Sequence, residues 1–298
     1  MGQICPSTAS PLCVGHRHLR HSLLSHGRSK APTEFPDLSF LPPEMAISIL
    51  SHLSATELCL AGCVNEYWQE LADSELLWKG LCYSDWGNID SFLPDGMVPI
   101  QSYKRLYLLM DDGSSLFNGD SVSGLEFLLN NGVVGPSDRH IGCFLHESRR
   151  LHADKVLRLL QDRRGVLDEL VGLLDFHDVF LPDALRKFFT EVPAPKVRGD
   201  FLEHLLTKFS RRYFECNRDM GLPQDTTYVL CYSLIMLSVD LGSPHVKNKM
   251  TKREFIRNLR GAVQGTPGDY LVNLYDNIYL HGHVAKKSHY KVYSNADF

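Results

Sequence analysis

No apolar run in this 298-residue sequence reaches the roughly 18 residues a membrane-spanning helix needs. The longest, around Tyr228–Leu241, is too short. Close cysteine pairs are also missing. The eight cysteines (Cys5, Cys13, Cys59, Cys63, Cys82, Cys143, Cys216 and Cys231) include no C-x-x-C, so zinc-ribbon and zinc-finger spacing is excluded and no metal or other cofactor is expected. An excess of positive charge is lacking: 31 Lys and Arg stand against 35 Asp and Glu, a net charge of -4. That argues against a chain built to bind nucleic acid. No Walker loop or dinucleotide fingerprint occurs. The first 30 residues hold no continuous apolar stretch of the signal-peptide kind, so reduced thiols and a cytoplasmic location are expected. Met1-Gly2 could suggest myristoylation, but Pro6 stands where Ser or Thr is wanted.

The chain is otherwise ordinary for a globular protein, with 44% hydrophobic and 22% charged residues, and its length suits about two domains. Residues 1–38 read as a flexible polar arm in which His16, His18, His21 and His26 are solvated rather than metal-bound. Pro42-Pro43-Glu44 signals a helix start, and Met45, Ile49, Leu50 and Leu53 follow at helical spacing. Ser54-Ala55-Thr56-Glu57 is a capping-box match. It predicts a second helix carrying Leu60, Val64, Trp68 and Leu71. Leu76-Leu77-Trp78 and Leu81 form a third short apolar segment.

Gly87 to Pro99 reads as a loop, and Tyr103–Met110 as a bridging helix ended by Asp111-Asp112-Gly113. Apolar residues at 3.6 spacing then predict helices over 124–130, 154–161, 164–174, 182–191 and 200–214. Tyr228–Leu241 is apolar nearly all round, which predicts a helix buried on most faces. A second capping-box match, Thr251 to Glu254, starts a basic helix ending near Gly261. Helices are expected to continue to about His281, and strand-like alternation is hard to find, so the fold class is all-α.

Residues 39–85 resemble an F-box. The resemblance rests on Leu41-Pro42-Pro43-Glu44-Met45, Ile49-Leu50-Ser51-His52-Leu53, Glu57-Leu58-Cys59-Leu60, Val64, Trp68, Glu70-Leu71-Ala72 and Leu77-Trp78 in that order. It implies a three-helix module that docks on a Skp-type adaptor of a cullin ubiquitin ligase. The implied adaptor contacts are Leu41, Pro42, Ile49, Leu50, Leu53, Leu58, Leu60, Val64, Trp68, Leu71 and Trp78. Asn65-Glu66-Tyr67 departs from the family, which often has Cys or Ser followed by Lys or Arg before the Trp. Three short helices in so few residues bury little surface by themselves, so an apolar face is expected to be left for a partner.

From Leu116-Phe117-Asn118 to about Tyr279 the chain resembles the Sec-seven family, the exchange domain for ARF small GTPases. The match runs through Gly124-Leu125-Glu126-Phe127-Leu128, Val166-Leu167-Asp168, Phe176-His177, Ala184 to Phe189, Phe209 to Tyr213, Cys216-Asn217, Tyr228 to Leu237, Pro244 to Met250 and Asn273 to Asp276. It implies an all-helical right-handed superhelix with an apolar groove for the GTPase switch regions. The expected organisation is an arm (1–38), an F-box (39–85), a linker with a bridging helix (86–115), a Sec-seven-like ARF-binding domain (116–284) and a tail (285–298). The implied GTPase contacts are Pro195, Lys196, Val197, Arg198, Tyr228, Leu230, Leu237, Pro244, Val246, Lys249 and Met250.

In that family a glutamate, in a Leu-Pro-Gly-Glu-Ala motif, enters the nucleotide site and competes with the β-phosphate. Two like unit charges about 4 Å apart repel by about 4 kcal/mol at an effective dielectric near 20, which is why a carboxylate suits the task. Here the stretch reads Glu191-Val192-Pro193-Ala194-Pro195-Lys196-Val197-Arg198-Gly199-Asp200. The glutamate position falls on Val197 or on Arg198, depending on the alignment, so no catalytic residue is expected. Valine carries no charge, and arginine attracts phosphate. Ser238 and Gly242-Ser243 also replace polar residues of the family pattern. Two functional readings stay open: a ligase adaptor that binds an ARF GTPase with exchange weak or lost, or an active exchange factor.

The remaining constellations have bland readings. His177-Asp178 and His281-Gly282-His283 lack a third ligand and read as turn or core residues. Lys247, Lys249, Lys252, Arg253, Arg257 and Arg260 read as a solvated helix face, with membrane contact at most peripheral. Cys59 and Cys63, one turn apart, read as small apolar residues.

Overall fold

In the computed structural model, residues 37–94, 102–195 and 199–285 are described. The arm before residue 37, the expected tail beyond 285, and Lys196, Val197 and Arg198 lie outside the described residues. All regular structure among the described residues is helical, as the sequence predicts. The chain divides into two units, Met1–Ala46 and Ile47–Phe298. The first holds a 3-10 turn at Leu38–Phe40, closed by the Phe40 and Leu41 N–H groups on the Asp37 and Leu38 carbonyls (both 3.0 Å), and the start of α1 (Pro43–Leu50).

The second unit continues with α2 (Ala55–Ala61), α3 (Glu66–Ala72), α4 (Glu75–Trp86), a 3-10 turn at Ile89–Ser91, α5 (Tyr103–Gly119), α6 (Ser121–Asn130) and α7 (Asp138–Glu147). Then come α8 (Ala153–Asp162), α9 (Arg164–Leu173), α10 (Leu181–Glu191), α11 (Asp200–Cys216), α12 (Gln224–Gly242), α13 (Lys252–Arg260) and α14 (Gly268–His281). Both capping boxes form: Ser54 with Glu57 opens α2, and Thr251 with Glu254 opens α13. Hydrogen bonds to the cap backbone and hydroxyl hold both glutamates below the usual carboxylate range.

The helix expected from Ser54 through Leu71 is broken into two. The Asn65 side chain accepts the Trp68 N–H at 2.9 Å and starts α3 afresh, satisfying a donor that a continuous helix would have used internally. The bridging helix is longer than expected. It runs through Asp111-Asp112-Gly113 to Gly119, because Gly113 is a packing position and not a stop. A Cβ there would meet Leu128 Cδ2 of α6 at 2.3 Å, so the absence of a side chain lets α6 close on α5. Helix α7 was not marked by apolar spacing. Its start is set by Ser137, whose hydroxyl accepts the His140 N–H.

Helix α12 also departs from expectation. Leu230, Cys231, Leu234 and Leu237 are fully buried, but Tyr232 is 40% exposed and Tyr228, Met236 and Val239 are half-buried. An all-round apolar sequence is covered here on only part of its circumference. Cys59 and Cys63, expected to pack as small apolar residues, are both exposed.

Two aromatic clusters organise the interior of this unit. Tyr107 lies edge-on to Trp78 (5.5 Å between centroids) and to Trp86 (5.0 Å). Farther along the chain, Phe209 meets Phe176 and Phe188 at 5.1 Å and Tyr213 at 5.8 Å. The edge-on contacts of Tyr107 and of Phe176 with Phe209, and the stacked Phe209–Tyr213 pair, add to simple area burial.

Candidate functional site

The residues expected to contact an adaptor separate into two sets. In the first unit Leu41 is half-buried, and Pro42, Phe40 (78%) and Met45 (55%) are exposed. In the second, Ile49 (47%), Leu60 (50%) and Val64 (60%) are exposed, with Leu53 and Trp68 half-buried. Leu50, Leu58, Leu71 and Trp78 are interior. Trp78 is fully buried, and its indole N–H donates to the Ala72 carbonyl at 2.8 Å, tying α4 to the end of α3. These four shape the module instead of presenting themselves to a partner. Leu76 (67% exposed) was not among the expected contacts, although it adjoins Leu77 in the same apolar segment.

The residues expected to contact a GTPase divide in the same way. Leu230 and Leu237 are fully buried, so they support α12 from within. Tyr228 is half-buried, at a position one turn before Tyr232 and two before Met236. Pro244 is exposed, and Val246, Lys249 and Met250 are half-buried in the connection from α12 to α13.

That connection is held from below. The Lys249 ammonium donates to the Asp240 carbonyl at 2.7 Å and to the Ser243 carbonyl, so it caps the C-terminal end of α12. The Asp240 carboxylate accepts the Met250 N–H at 2.7 Å, and the Tyr275 hydroxyl donates to the Met250 carbonyl at 2.9 Å. Asp240 and Tyr275 were missed as site-shaping residues. The only sequence signal was an acidic residue inside an otherwise apolar helix.

Pro195 is half-buried at the edge of the described residues; Lys196, Val197 and Arg198 beyond it are outside them. The flanking carboxylates are both defined. Glu191, the last residue of α10, has Oε2 3.3 Å from His146 Nδ1 of α7, and its side chain is 18% exposed. Asp200 is exposed at the first position of α11, where a negative charge complements the helix dipole. Val192 and Pro193 are buried between them.

The other constellations have structural tasks. His177 lies with Nδ1 3.1 Å from the Cys216 carbonyl and Nε2 3.3 Å from Asp178 Oδ2; the carbonyl first, then Asp178, raise its pKa. Asp178 takes a left-handed backbone (φ 54°), which the Asn217 side chain stabilises by accepting its N–H at 3.0 Å. His281 is exposed, and His283 accepts the Ala285 N–H at 2.9 Å. Among the described residues no group of His, Cys, Asp and Glu could hold a metal, and no helix is long and apolar enough to cross a membrane. Of the basic cluster, Lys252 pairs with Asp276 at 2.5 Å, while Arg253, Arg257 and Arg260 are exposed along one face of α13.

An exposed apolar F-box-type surface followed by a helical domain with a half-covered α12 defines a class: helical proteins that join an F-box to a Sec7 domain. Residues 38–84 match the family described as "F-box-like", and residues 107–281 match "Sec7 domain", so the chain belongs to that class. It is 48% identical over 269 residues to "F-box only protein 8" of Homo sapiens and of Mus musculus, covering 89% of this chain and 83% of each relative. It is also 36% identical over 192 residues to "Brefeldin A-inhibited guanine nucleotide-exchange protein 1" of Homo sapiens, spanning 62% of this chain but a tenth of that protein. Two solved structures resemble the Sec7 part. "Crystal structure of Sec7p catalytic domain" aligns with TM-score 0.53 and 30% identity, over 57% of this chain and 93% of that one. "Structure of ARF1-GDP bound to Sec7 domain complexed with Brefeldin A" aligns with TM-score 0.54 and 29% identity, over 59% and 92%.

Proposed function

We propose that this chain is the substrate-recruiting adaptor of a Skp–cullin–F-box ubiquitin ligase, that its Sec7 groove binds an ARF-family GTPase and regulates ARF signalling, and that its exchange activity is weak or lost. It acts in the cytoplasm and touches membranes at most peripherally. The F-box side rests on the exposed Ile49, Leu60 and Val64 beside an interior built by Leu50, Leu58, Leu71 and Trp78. The GTPase side rests on the Sec7 match and on the exposed Tyr232 of α12, flanked by the half-buried Tyr228 and Met236.

One observation carries the loss of exchange: between Val192 and Gly199 the sequence has no carboxylate. A chain that must push a phosphate out needs negative charge at that point, and Val197 or Arg198 supplies none. The neighbours are poor substitutes. Glu191 lies against His146, and Asp200 opens α11. Ubiquitin chemistry would come from the ligase partners, and this chain would contribute grip and placement.

The alternative, an active ARF exchange factor, is favoured by its 30% identity to a domain described as catalytic. Nucleotide release from several ARF proteins, measured with the full chain and with Val197→Glu and Arg198→Glu, separates the two. Release at the spontaneous rate with the native chain, together with a gain in one glutamate variant, is expected. Strong acceleration by the native chain overturns the adaptor reading in this form. Co-purification from cells should recover a Skp-type adaptor.

A further inference from the structure

The F-box-like match ends at residue 84 and the Sec7 match begins at 107. The structure does not respect that gap. Trp86, at the last position of α4, is completely buried, and its indole N–H donates to Ser114 Oγ of α5 at 3.1 Å. One residue earlier, Asp85 Oδ2 accepts the Tyr107 hydroxyl at 2.8 Å. Arg150, in the connection from α7 to α8, closes the arrangement. Its Nη1 donates to Asp85 Oδ2 and to the Tyr107 hydroxyl oxygen, both at 3.2 Å. Its Nη2 lies 2.5 Å from Asp111 Oδ1 of α5, and its guanidinium carbon is 5.2 Å from the centroid of the Trp86 ring.

The arginine is itself held in place. Its carbonyl accepts Asn118 Nδ2 at 2.8 Å, and the neighbouring Arg149 N–H donates to the Asp85 carbonyl at 3.2 Å. Below α4, the Asn88 N–H donates to Glu147 Oε2 at 2.9 Å, the Phe92 carbonyl accepts the Gly135 N–H at 2.8 Å, and the Phe92 ring meets Phe144 edge-on. At the start of α4, Glu75 Oε2 accepts the Tyr103 N–H at 2.6 Å.

The chemistry selects arginine. One planar fork serves two carboxylates, a phenol and an aromatic face at once, whereas a lysine ammonium has no such fork. The effect of the cluster is to fuse the last F-box helix to the first Sec7 helix and to a loop two helices later.

We propose that Arg150 is a positioning residue that locks α4 to the Sec7 domain, so that the F-box helices α2–α4 and the groove move as one body and a ligase held at one end meets a GTPase held at the other in a fixed direction. This rests on the adaptor function proposed above. The transfer itself belongs to the ligase: a GTPase lysine amine attacks the thioester of a ubiquitin-charged conjugating enzyme, a C–N bond forms as the C–S bond breaks, and the amine's proton leaves with the thiolate. A fixed direction raises the rate of that encounter without strengthening either grip.

The test uses the full chain with Arg150→Met, and with Asp85→Asn as a milder variant that keeps the Arg150–Asp111 pair. Amide hydrogen exchange reads the lock directly. In Arg150→Met, protection of α4 should fall about tenfold or more while that of α11 and α12 holds. Ubiquitylation of a bound ARF GTPase by the reconstituted ligase reads the consequence. The kcat should fall about tenfold, with KM and both binding affinities unchanged. Arg150→Lys should rescue neither readout. Unchanged protection of α4 overturns the lock, and lost protection with undiminished kcat overturns the positioning role. If the wild-type chain supports no ubiquitylation, the adaptor reading fails while hydrogen exchange still judges the lock. If Arg150→Met does not fold, Asp85→Asn is judged by the same two readouts.

Discussion

The carboxylate of Glu191, at the end of α10, lies 3.3 Å from the imidazole of His146 on α7. This contact bears directly on exchange, because Glu191 is the nearest acidic residue before the stretch where the family carries its glutamate. To reach a nucleotide it would have to leave a site in which it is only 18% exposed. Glu191→Gln is therefore expected to leave nucleotide release from ARF proteins unchanged. A drop in release in a stopped-flow nucleotide assay would identify Glu191 as a displaced finger.

The split of the F-box residues into surface and interior predicts two kinds of variant. Val64→Asp and Ile49→Asp should lose the Skp-type adaptor in pull-down with an unchanged melting curve, since both side chains are about half exposed or more. Leu58→Ala, at 1% exposure, should cost about 2–5 kcal/mol of stability. Retained adaptor binding by both charged variants would count against the proposed surface.

Helix α12 makes a sharp pair. Leu237 is fully buried, and its Asp variant places an unpaired charge in the interior at a cost of several kcal/mol, so its thermal transition should collapse. Met236 is half-buried. Met236→Asp should keep the fold and weaken GTPase binding, measured by calorimetric titration. Similar melting of the two variants would contradict the partial cover of α12.

Gly124 lets α6 approach α5. A Cβ there would stand 2.2 Å from the Phe117 backbone nitrogen and 2.3 Å from its Cα, and backbone cannot swing aside. Gly124→Ala should destabilise by about 1–3 kcal/mol in denaturant unfolding, the range for overpacking. At Gly113 the obstacle is the flexible Leu128 side chain, so Gly113→Ala should cost less.

Mild acid should weaken the fold. His204 is held below the ordinary histidine value by burial and then by Arg164 and Lys208; His283 by burial, with Arg186 adding to it. A lowered folded-state pKa means that the unfolded chain takes up the proton more readily. The stability these residues contribute is present above the unfolded value of about 6.5 and is lost as pH falls through the folded one. His177 runs the other way, with a raised pKa and stability that fades as pH rises, but it is exposed and screened. The melting temperature is expected to drop as pH falls below the unfolded histidine value of about 6.5. His204→Gln with His283→Gln should flatten that drop.

Much of this protein was determined by its residues in order. Two capping boxes specify where α2 and α13 begin, because a cap acts within a turn of chain; periodicity marks the body of α12, which the structure starts one turn earlier, at Gln224. The ordered F-box and Sec7 motifs, and the missing carboxylate before α11, are equally local facts. Tertiary structure decided the rest. Periodicity places Leu58 and Leu60 on the same short helix, but only the packing of neighbouring helices buries the first and leaves the second half exposed. Gly113 reads as a stop until Leu128 is seen filling the space beside it. Nothing in the sequence signals that the Lys249 ammonium rests on the carbonyls that end α12. Arg150 carries no signal at all in the sequence. Its role comes from Asp85, Tyr107 and Asp111, which are distant along the chain and are brought within reach of one guanidinium only when α4, α5 and the α7–α8 connection pack together.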